Sequence, residues 1–185
     1  MRQLINSTYI TLDGAIEDPH LWPPLAGGDS EEGGRIQTDL LEGCDVVLMG
    51  RRTYDSFAPA WSARSGDPYS DRINTMRKVV VSRTLTDPAW ANTEVIAGDV
   101  AAKVRELKAT DGGDIVQYGF GDVSRLLLAE GLIDRLDWWI HPQLVGPAGA
   151  ADLVSRPGTA AAFRLVASRV LSNGIILATY EVPTS

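Results

Sequence analysis

The chain is short of cysteine, of histidine and of long apolar runs. A single cysteine, Cys44, in 185 residues excludes an internal disulfide framework. Two histidines, His20 and His141, leave too few ligands beside it for a Cys/His zinc site. No apolar run approaches the ~18 residues that span a bilayer. The opening Met1-Arg2-Gln3-Leu4-Ile5-Asn6-Ser7-Thr8 is too polar for a secretory signal, so no membrane partner is expected. Positive charge is scarce too: 17 Lys and Arg face 24 Asp and Glu, a net charge of -7. A field of that sign disfavours nucleic acid as a partner while leaving room for a local anion site. No Walker loop, Ser-His-Asp arrangement, metal-ligand spacing, repeat or low-complexity tract is visible. With 44% hydrophobic and 22% charged residues the chain lies outside the disordered range. Its length suits one domain over 1–185, expected to be soluble, cytoplasmic and reduced.

The charge is unevenly distributed. Residues 13–45 carry nine acids and one base, Arg35, a balance of -8. Residues 51–83 carry seven bases and three acids, a balance of +4. Solvated faces of unequal sign would explain this. So would an anionic ligand held by the second segment, and the motifs there bear on the choice.

Strands are expected at Gln3–Leu12, Asp45–Met49, Lys78–Ser82, Thr93–Ala97, Asp114–Tyr118, Arg135–His141, Phe163–Leu171 and Gly174–Val182. The continuously apolar runs Val46–Met49 and Val79–Val81 suit strands covered on both faces. Ser172-Asn173-Gly174 predicts a C-terminal hairpin, with Asn-Gly supplying the positive φ angles of a type I′ turn. Helices are expected at Ser30–Gly43, with Ser30 as N-cap and Gly43 as terminator, at Asp99–Ala109 and at Asp122–Glu130. A short helix should follow Gly50. Pro19–Gly28 and Arg64–Asp67 read as loops. Strands alternating with helices and closing on a hairpin predict an α/β fold with a mostly parallel sheet.

Three strand ends carry phosphate-compatible chemistry. Met49-Gly50-Arg51-Arg52-Thr53-Tyr54 leads from a strand into a helix start, where free N–H groups and the helix dipole form an anion site. Val81-Ser82-Arg83-Thr84 ends a strand on a hydroxyl and a guanidinium able to clamp a phosphate. Tyr118-Gly119-Phe120-Gly121-Asp122 lets backbone pass close to a pyrophosphate, although Ser124 stands where a dinucleotide fingerprint has its last glycine. Open α/β sheets bind ligands along their strand carboxyl ends, so the three reinforce one another. Asp13 in Thr11-Leu12-Asp13-Gly14 reads either as a turn cap or as a participant in chemistry. His141, at a strand end before Pro142, reads as structural, and His20 as the freer of the two histidines. Adjacent Trp138 and Trp139 must point to opposite faces, one into the core and one toward a subunit interface.

In this order, Thr11–Gly14, Val47–Tyr54, Lys78–Leu85, Asp114–Gly121 and Gly131–Leu136 running on to His141-Pro142 and Leu144-Val145-Gly146 resemble the dihydrofolate-reductase-like family. Within it the chain is most similar to the C-terminal reductase domain of the riboflavin-biosynthesis deaminase–reductase (RibD), here without a deaminase half. The resemblance implies a three-layer fold on a mixed sheet of about eight strands, a homodimer, and NADPH-dependent reduction of a small heterocycle of the phosphoribosylaminouracil type. It implies cofactor contacts from Thr11, Gly50, Arg51, Arg52, Thr53, Ser82, Arg83, Gly119, Phe120, Gly121 and Asp122, with Ser82 and Arg83 reading the 2′-phosphate. Asp13 and Glu32 are the candidate catalytic carboxyls. Two departures stand out. The Phe120 ring between two glycines is expected to crowd the pyrophosphate, which motivates a second reading: a catalytically silent nucleotide-binding or interaction module. Dihydrofolate reductases place an acid on the first helix, whereas the matching positions here are Gly34 and Arg35, with Glu31 or Glu32 available only after a shift of register. Dihydrofolate reduction is therefore the lesser expectation.

Overall fold

The structure, a computed structural model, describes residues 1–147, 149–157 and 159–183. The chain opens with β1 (Leu4–Thr11), α1 (Glu31–Gly43), β2 (Cys44–Gly50), α2 (Arg51–Trp61), α3 (Pro68–Thr75), β3 (Arg77–Val81) and β4 (Thr93–Ile96). It continues through α4 (Val100–Ala109), β5 (Asp114–Tyr118), α5 (Asp122–Ala129), β6 (Arg135–His141), β7 (Arg164–Val170) and β8 (Ile176–Glu181). The eight strands form one sheet in the order β4-β3-β2-β5-β1-β6-β8-β7. The first six neighbours pair in parallel, while β8 runs antiparallel to both β6 and β7.

Alternation along the central strands builds two cores. Leu48, Val79 and Ile115 face one side, against Val104 and Leu107 of α4 and Leu127 of α5. Val47, Val80 and Val116 face the other, against Leu41 of α1, Tyr54 of α2 and Ile73 of α3. Successive strand residues point to opposite faces, so runs buried on both sides must be apolar throughout. The result is the expected three-layer arrangement of helices on a mixed sheet.

Local signals explain most boundaries. Ser30 Oγ accepts the Gly33 N–H at 3.1 Å and caps α1. Asp99 does the same for Ala102 at 3.0 Å in α4. Helix α1 ends at Gly43 without a left-handed residue, since Cys44 passes directly into β2. Helix α3 is an addition to the sequence-based expectation. Its signal was present, because Asp67 accepts the Ser70 N–H at 3.0 Å and Pro68 occupies the first turn, where a missing N–H costs nothing.

The hairpin joining β7 and β8 forms, but its turn is of another type. Only Gly174, at φ 86°, is left-handed, and Asn173 keeps a negative φ. Leu171 and Ile175 pair through a 2.8 Å bond, and the Gly174 N–H returns to Leu171 O at 2.9 Å. This is a three-residue loop with glycine in its bulge position rather than the two-residue type I′ turn. Asn173 instead donates to Gly28 O at 3.2 Å, a tertiary contact that favours this geometry.

Trp138 and Trp139 do point to opposite faces. Trp139 is buried beside Leu171 and Ile175, with its indole N–H on Ser7 Oγ at 3.1 Å. Trp138 packs edge-on against Phe120, Phe163 and Tyr180 within the chain. Exposure at this edge of the sheet falls on β7 instead, whose seven residues all face solvent.

Candidate functional site

At the carboxyl ends of β1, β2 and β5 the sheet opens into a cavity of about 870 Å³. Helices α1 and α2 form one wall, the β5–α5 loop another, and the segment around Glu17–His20 its rim. This is the place where an open parallel sheet presents backbone and helix starts to a ligand.

One end is built for an anion. Gly50 precedes α2 and Gly121 precedes α5, and neither helix start has a side-chain cap. By contrast α1, α3 and α4 are capped by Ser30, Asp67 and Asp99. The free N–H groups of the two uncapped helices, carried by neighbouring strands β2 and β5, border the same cavity. Gly119 sits at φ +78°, and a Cβ there would lie 3.0 Å from Thr53 Oγ1, so only glycine lets the two loops approach. Arg51 Nε donates to both Asp55 oxygens at 2.8 Å, and its Nη1 reaches Thr84 Oγ1 at 3.5 Å, joining this end to the turn after β3.

Beneath the loop lies a buried polar network. Asn6, fully buried, donates to Gly119 O at 2.8 Å and to Gln117 Oε1 at 3.2 Å, and accepts from Thr8 Oγ1 at 2.9 Å. Ser124 Oγ adds a second bond to Gly119 O at 2.9 Å. With its partners in place, such a network fixes the loop's position.

The other end is aromatic. The rings of Phe57 and Tyr118 lie 5.1 Å apart and those of Trp61 and Tyr69 4.7 Å apart. Tyr69 donates to the Tyr118 hydroxyl at 3.1 Å, and Tyr118 in turn to Gln37 Oε1 at 3.5 Å. Burial raises both phenols well above their usual range, so they stay protonated. At the rim Arg52 pairs with Glu17 at 3.5 Å and with Asp152 at 3.9 Å. Burial raises the Glu17 carboxyl above its ordinary value, against the opposing pull of Arg52.

Of the residues singled out in the sequence, Gly50, Arg51, Arg52, Thr53, Gly119, Phe120, Gly121 and Asp122 border the cavity. The Asp122 carboxylate is exposed and held by Arg156 at 2.7 Å. The Phe120 ring is 2% exposed and turns into the core against Trp138 and the Arg125 guanidinium, so the expected crowding of a pyrophosphate does not arise. His20 reaches the rim, its Nδ1 3.5 Å from Ser56 Oγ. His141 is buried between Tyr9 and Trp22, with Nδ1 2.9 Å from Trp139 O, a structural placement.

Five of the candidates lie outside the cavity lining. Asp13 takes the Thr11 hydroxyl and the N–H groups of Gly146 at 2.8 Å and Val145 at 3.0 Å, which hold its carboxyl below the usual range. Thr11 also accepts the Ala15 N–H at 2.9 Å, so this pair ties the turn after β1 to the loop after β6. Glu32 points toward β7, bonded to Arg169 at 3.0 Å. Ser82 spends its oxygen on the Thr84 and Leu85 N–H groups at 3.2 and 3.1 Å. Arg83 is exposed beside that turn and has no hydrogen-bond or ion-pair partner among the described residues.

Glu17, Gln37, Tyr69 and the aromatic wall went unmarked in the sequence. Phe57 and Trp61 share a helical i, i+4 spacing on α2, whereas Glu17, Gln37, Tyr69 and Tyr118 come from separate elements, and Gln37 shows itself only as the polar member of the buried face of α1.

The uncharacterized protein YyaP of Bacillus subtilis strain 168 is 26% identical over 188 residues, covering 97% of this chain and 95% of that one. A crystal structure of a candidate riboflavin biosynthesis protein from Shewanella sp. PV-4 superposes with a TM-score of 0.72 at 23% identity, covering 98% and 99% of the two chains. A pyrimidine reductase-like protein from Corynebacterium diphtheriae gives 0.74 at 15% identity, over 100% of this chain and 93% of the other. Both are likenesses of fold. The RibD C-terminal domain family matches residues 2–177, nearly the whole chain, and the chain belongs to that family.

Proposed function

We propose that this protein is an NADPH-dependent reductase acting on a small heterocyclic substrate. One observation carries the reading: among the described α-helices, the two without a side-chain cap are the two whose first turns meet at the cavity. An uncapped helix start leaves several N–H donors and a partial positive charge without a partner, which is costly unless water or an anion takes them. A dinucleotide pyrophosphate fits both starts together, with Thr53 and the open backbone at Gly119 and Gly121 beside it. Arg51 and Arg83, on either side of the Thr84 turn, suit the 2′-phosphate.

When bound, the reduced nicotinamide supplies the hydride. The chain's own residues orient the ring and keep water out, the work done by the β5–α5 loop and the aromatic wall. Glu17 is the cavity carboxyl that burial biases toward its protonated form, and we assign it the proton. The inward turn of Phe120 removes the reason for a catalytically silent module. The cavity-facing residues of α1 are Gly34 and Gln37, so a carboxylate contact to a pterin is lacking on that helix.

We further propose a cytoplasmic homodimer with β7 at its interface, for which light scattering at twice the chain mass is the check. The test of the main reading is tryptophan fluorescence on titration with NADPH and NADH. NADPH should saturate, and Arg83→Ala should weaken NADPH by roughly 10–100-fold, the size of a lost charge-assisted contact, with little change for NADH. Equal losses for both cofactors, or no saturable NADPH binding, would refute it.

A further inference from the structure

Resting on the assignment of the anion end to the cofactor, we infer that the other end of the cavity takes an uncharged planar heteroaromatic ring and rejects phosphorylated substrates. Three observations carry this. The walls are flat: Phe57, Trp61, Tyr69 and Tyr118 bring four aromatic rings to that end, arranged in two close pairs. Aromatic faces favour a stacked or edge-on ring over a flexible charged chain.

The polar groups at its base are neutral. Gln37, 7% exposed, and the Tyr118 and Tyr69 hydroxyls form a short chain that can turn its donors and acceptors to match an amide or lactam edge. A charged group placed there would lose its hydration without a counter-charge, and burying an unpaired charge is strongly disfavoured.

The cations are already committed. Arg52 is paired with Glu17 and Asp152. Arg64 lies over the Trp61 ring, 4.8 Å from its centroid, and Asp67 stands beside it. With Asp67 beside Arg64, no cation at this end is left for a phosphate monoester. Arg51, on the first turn of α2, is paired in turn with Asp55 at 2.8 Å.

The experiment uses the full chain saturated with NADPH, after direct titration has shown that NADPH binds. Absence of NADPH binding defeats the proposed function and leaves the present inference to be read on the free protein with the same probes. The probes are lumazine, lumichrome and quinazoline-2,4-dione as uncharged planar heteroaromatic rings, and uridine monophosphate as the phosphorylated comparison, all followed by equilibrium dialysis. At least one uncharged ring should bind saturably in the micromolar range, with uridine monophosphate at least tenfold weaker. Trp61→Leu and Phe57→Leu should each weaken the bound ring by roughly tenfold, from loss of stacking area. Circular dichroism and NADPH affinity serve as the check that each variant is folded. Failure of all three rings, or uridine monophosphate binding as tightly as the best of them and losing affinity in Arg64→Ala, overturns the inference.

Discussion

Replacing Phe120 by alanine tests where its ring lies, and with it whether the loop can hold a cofactor. In the structure the ring is 2% exposed, edge-on to Trp138 at 6.0 Å, with the Arg125 guanidinium 5.7 Å away. A buried phenylalanine removes roughly 150 Å² from water, about 3–4 kcal/mol at ~25 cal/mol per Å². Alanine keeps about 1 kcal/mol of that, while the lost edge-to-face contact and the residual void add about as much again. Phe120→Ala should therefore destabilise the fold by about 3–4 kcal/mol. For a chain of this length that lowers Tm by about 6–16 °C. Urea denaturation should show a lower midpoint with an unchanged slope. NADPH affinity, measured at a temperature where the variant is folded, should stay within about threefold, because the ring is buried against Trp138 and Arg125. A stable variant that binds NADPH much more tightly would refute this, since it would show the ring in the cofactor's path.

Gly119→Ala should lower NADPH affinity and stability together. Its φ of +78° costs an alanine about 1–2 kcal/mol, and the new Cβ would press on Thr53 Oγ1 at 3.0 Å; an unchanged Kd and Tm would reject the packing described. Glu17→Gln should lower kcat by about 10²-fold or more and remove the decline of wild-type kcat on the basic side of the raised Glu17 pKa, whereas an unaltered pH profile would clear Glu17 of any proton role. The fully buried Lys78 amine is pushed down to about 8 by desolvation, although it donates to Asn74 O at 3.0 Å and Met76 O at 2.8 Å. Between pH 8 and 10.5 the unfolded chain then binds the proton more readily than the folded one, so stability should rise through that window, by about 3 kcal/mol at most. Lys78→Met should lose this rise between pH 7 and 9.5 in urea denaturation, and a variant that keeps it would disprove the assignment.

The sheet was readable because its signals are local. All eight strands lie within one or two residues of where alternation and apolar runs put them, and two of the capped helices begin at the residues whose side chains cap them. The turn after β7 departs from the Asn-Gly rule because Asn173 has a tertiary partner, Gly28, that a local rule cannot see. The site divides the same way. The strand-end motifs at Gly50 and Gly119 lie on contiguous sequence and border the cavity as read. Asp13 and Glu32 looked chemical as isolated acids, and only long-range partners, Gly146 for one and Arg169 for the other, show what they do. Gln37, Tyr69 and Glu17 converge from α1, α3 and the loop after β1, a juxtaposition set by sheet order rather than by spacing.

Sheet order also explains the uneven charge. The acidic segment 13–45 supplies Glu17 and Asp18 to the rim, and the basic segment 51–83 supplies Arg51 and Arg52 on α2 and Arg64 just after it. These stretches are consecutive along the chain but meet across the cavity because β1 and β2 flank β5. A ligand entering between them experiences a gradient rather than the overall charge of -7. In the proposed function its phosphates are drawn toward the two helix starts that have no side-chain cap. They are turned away from the aromatic end, where Arg64 lies over Trp61 beside Asp67. The proposed dinucleotide then lies with its phosphates over β2 and β5, and the ring it presents meets the proposed uncharged substrate at the aromatic end.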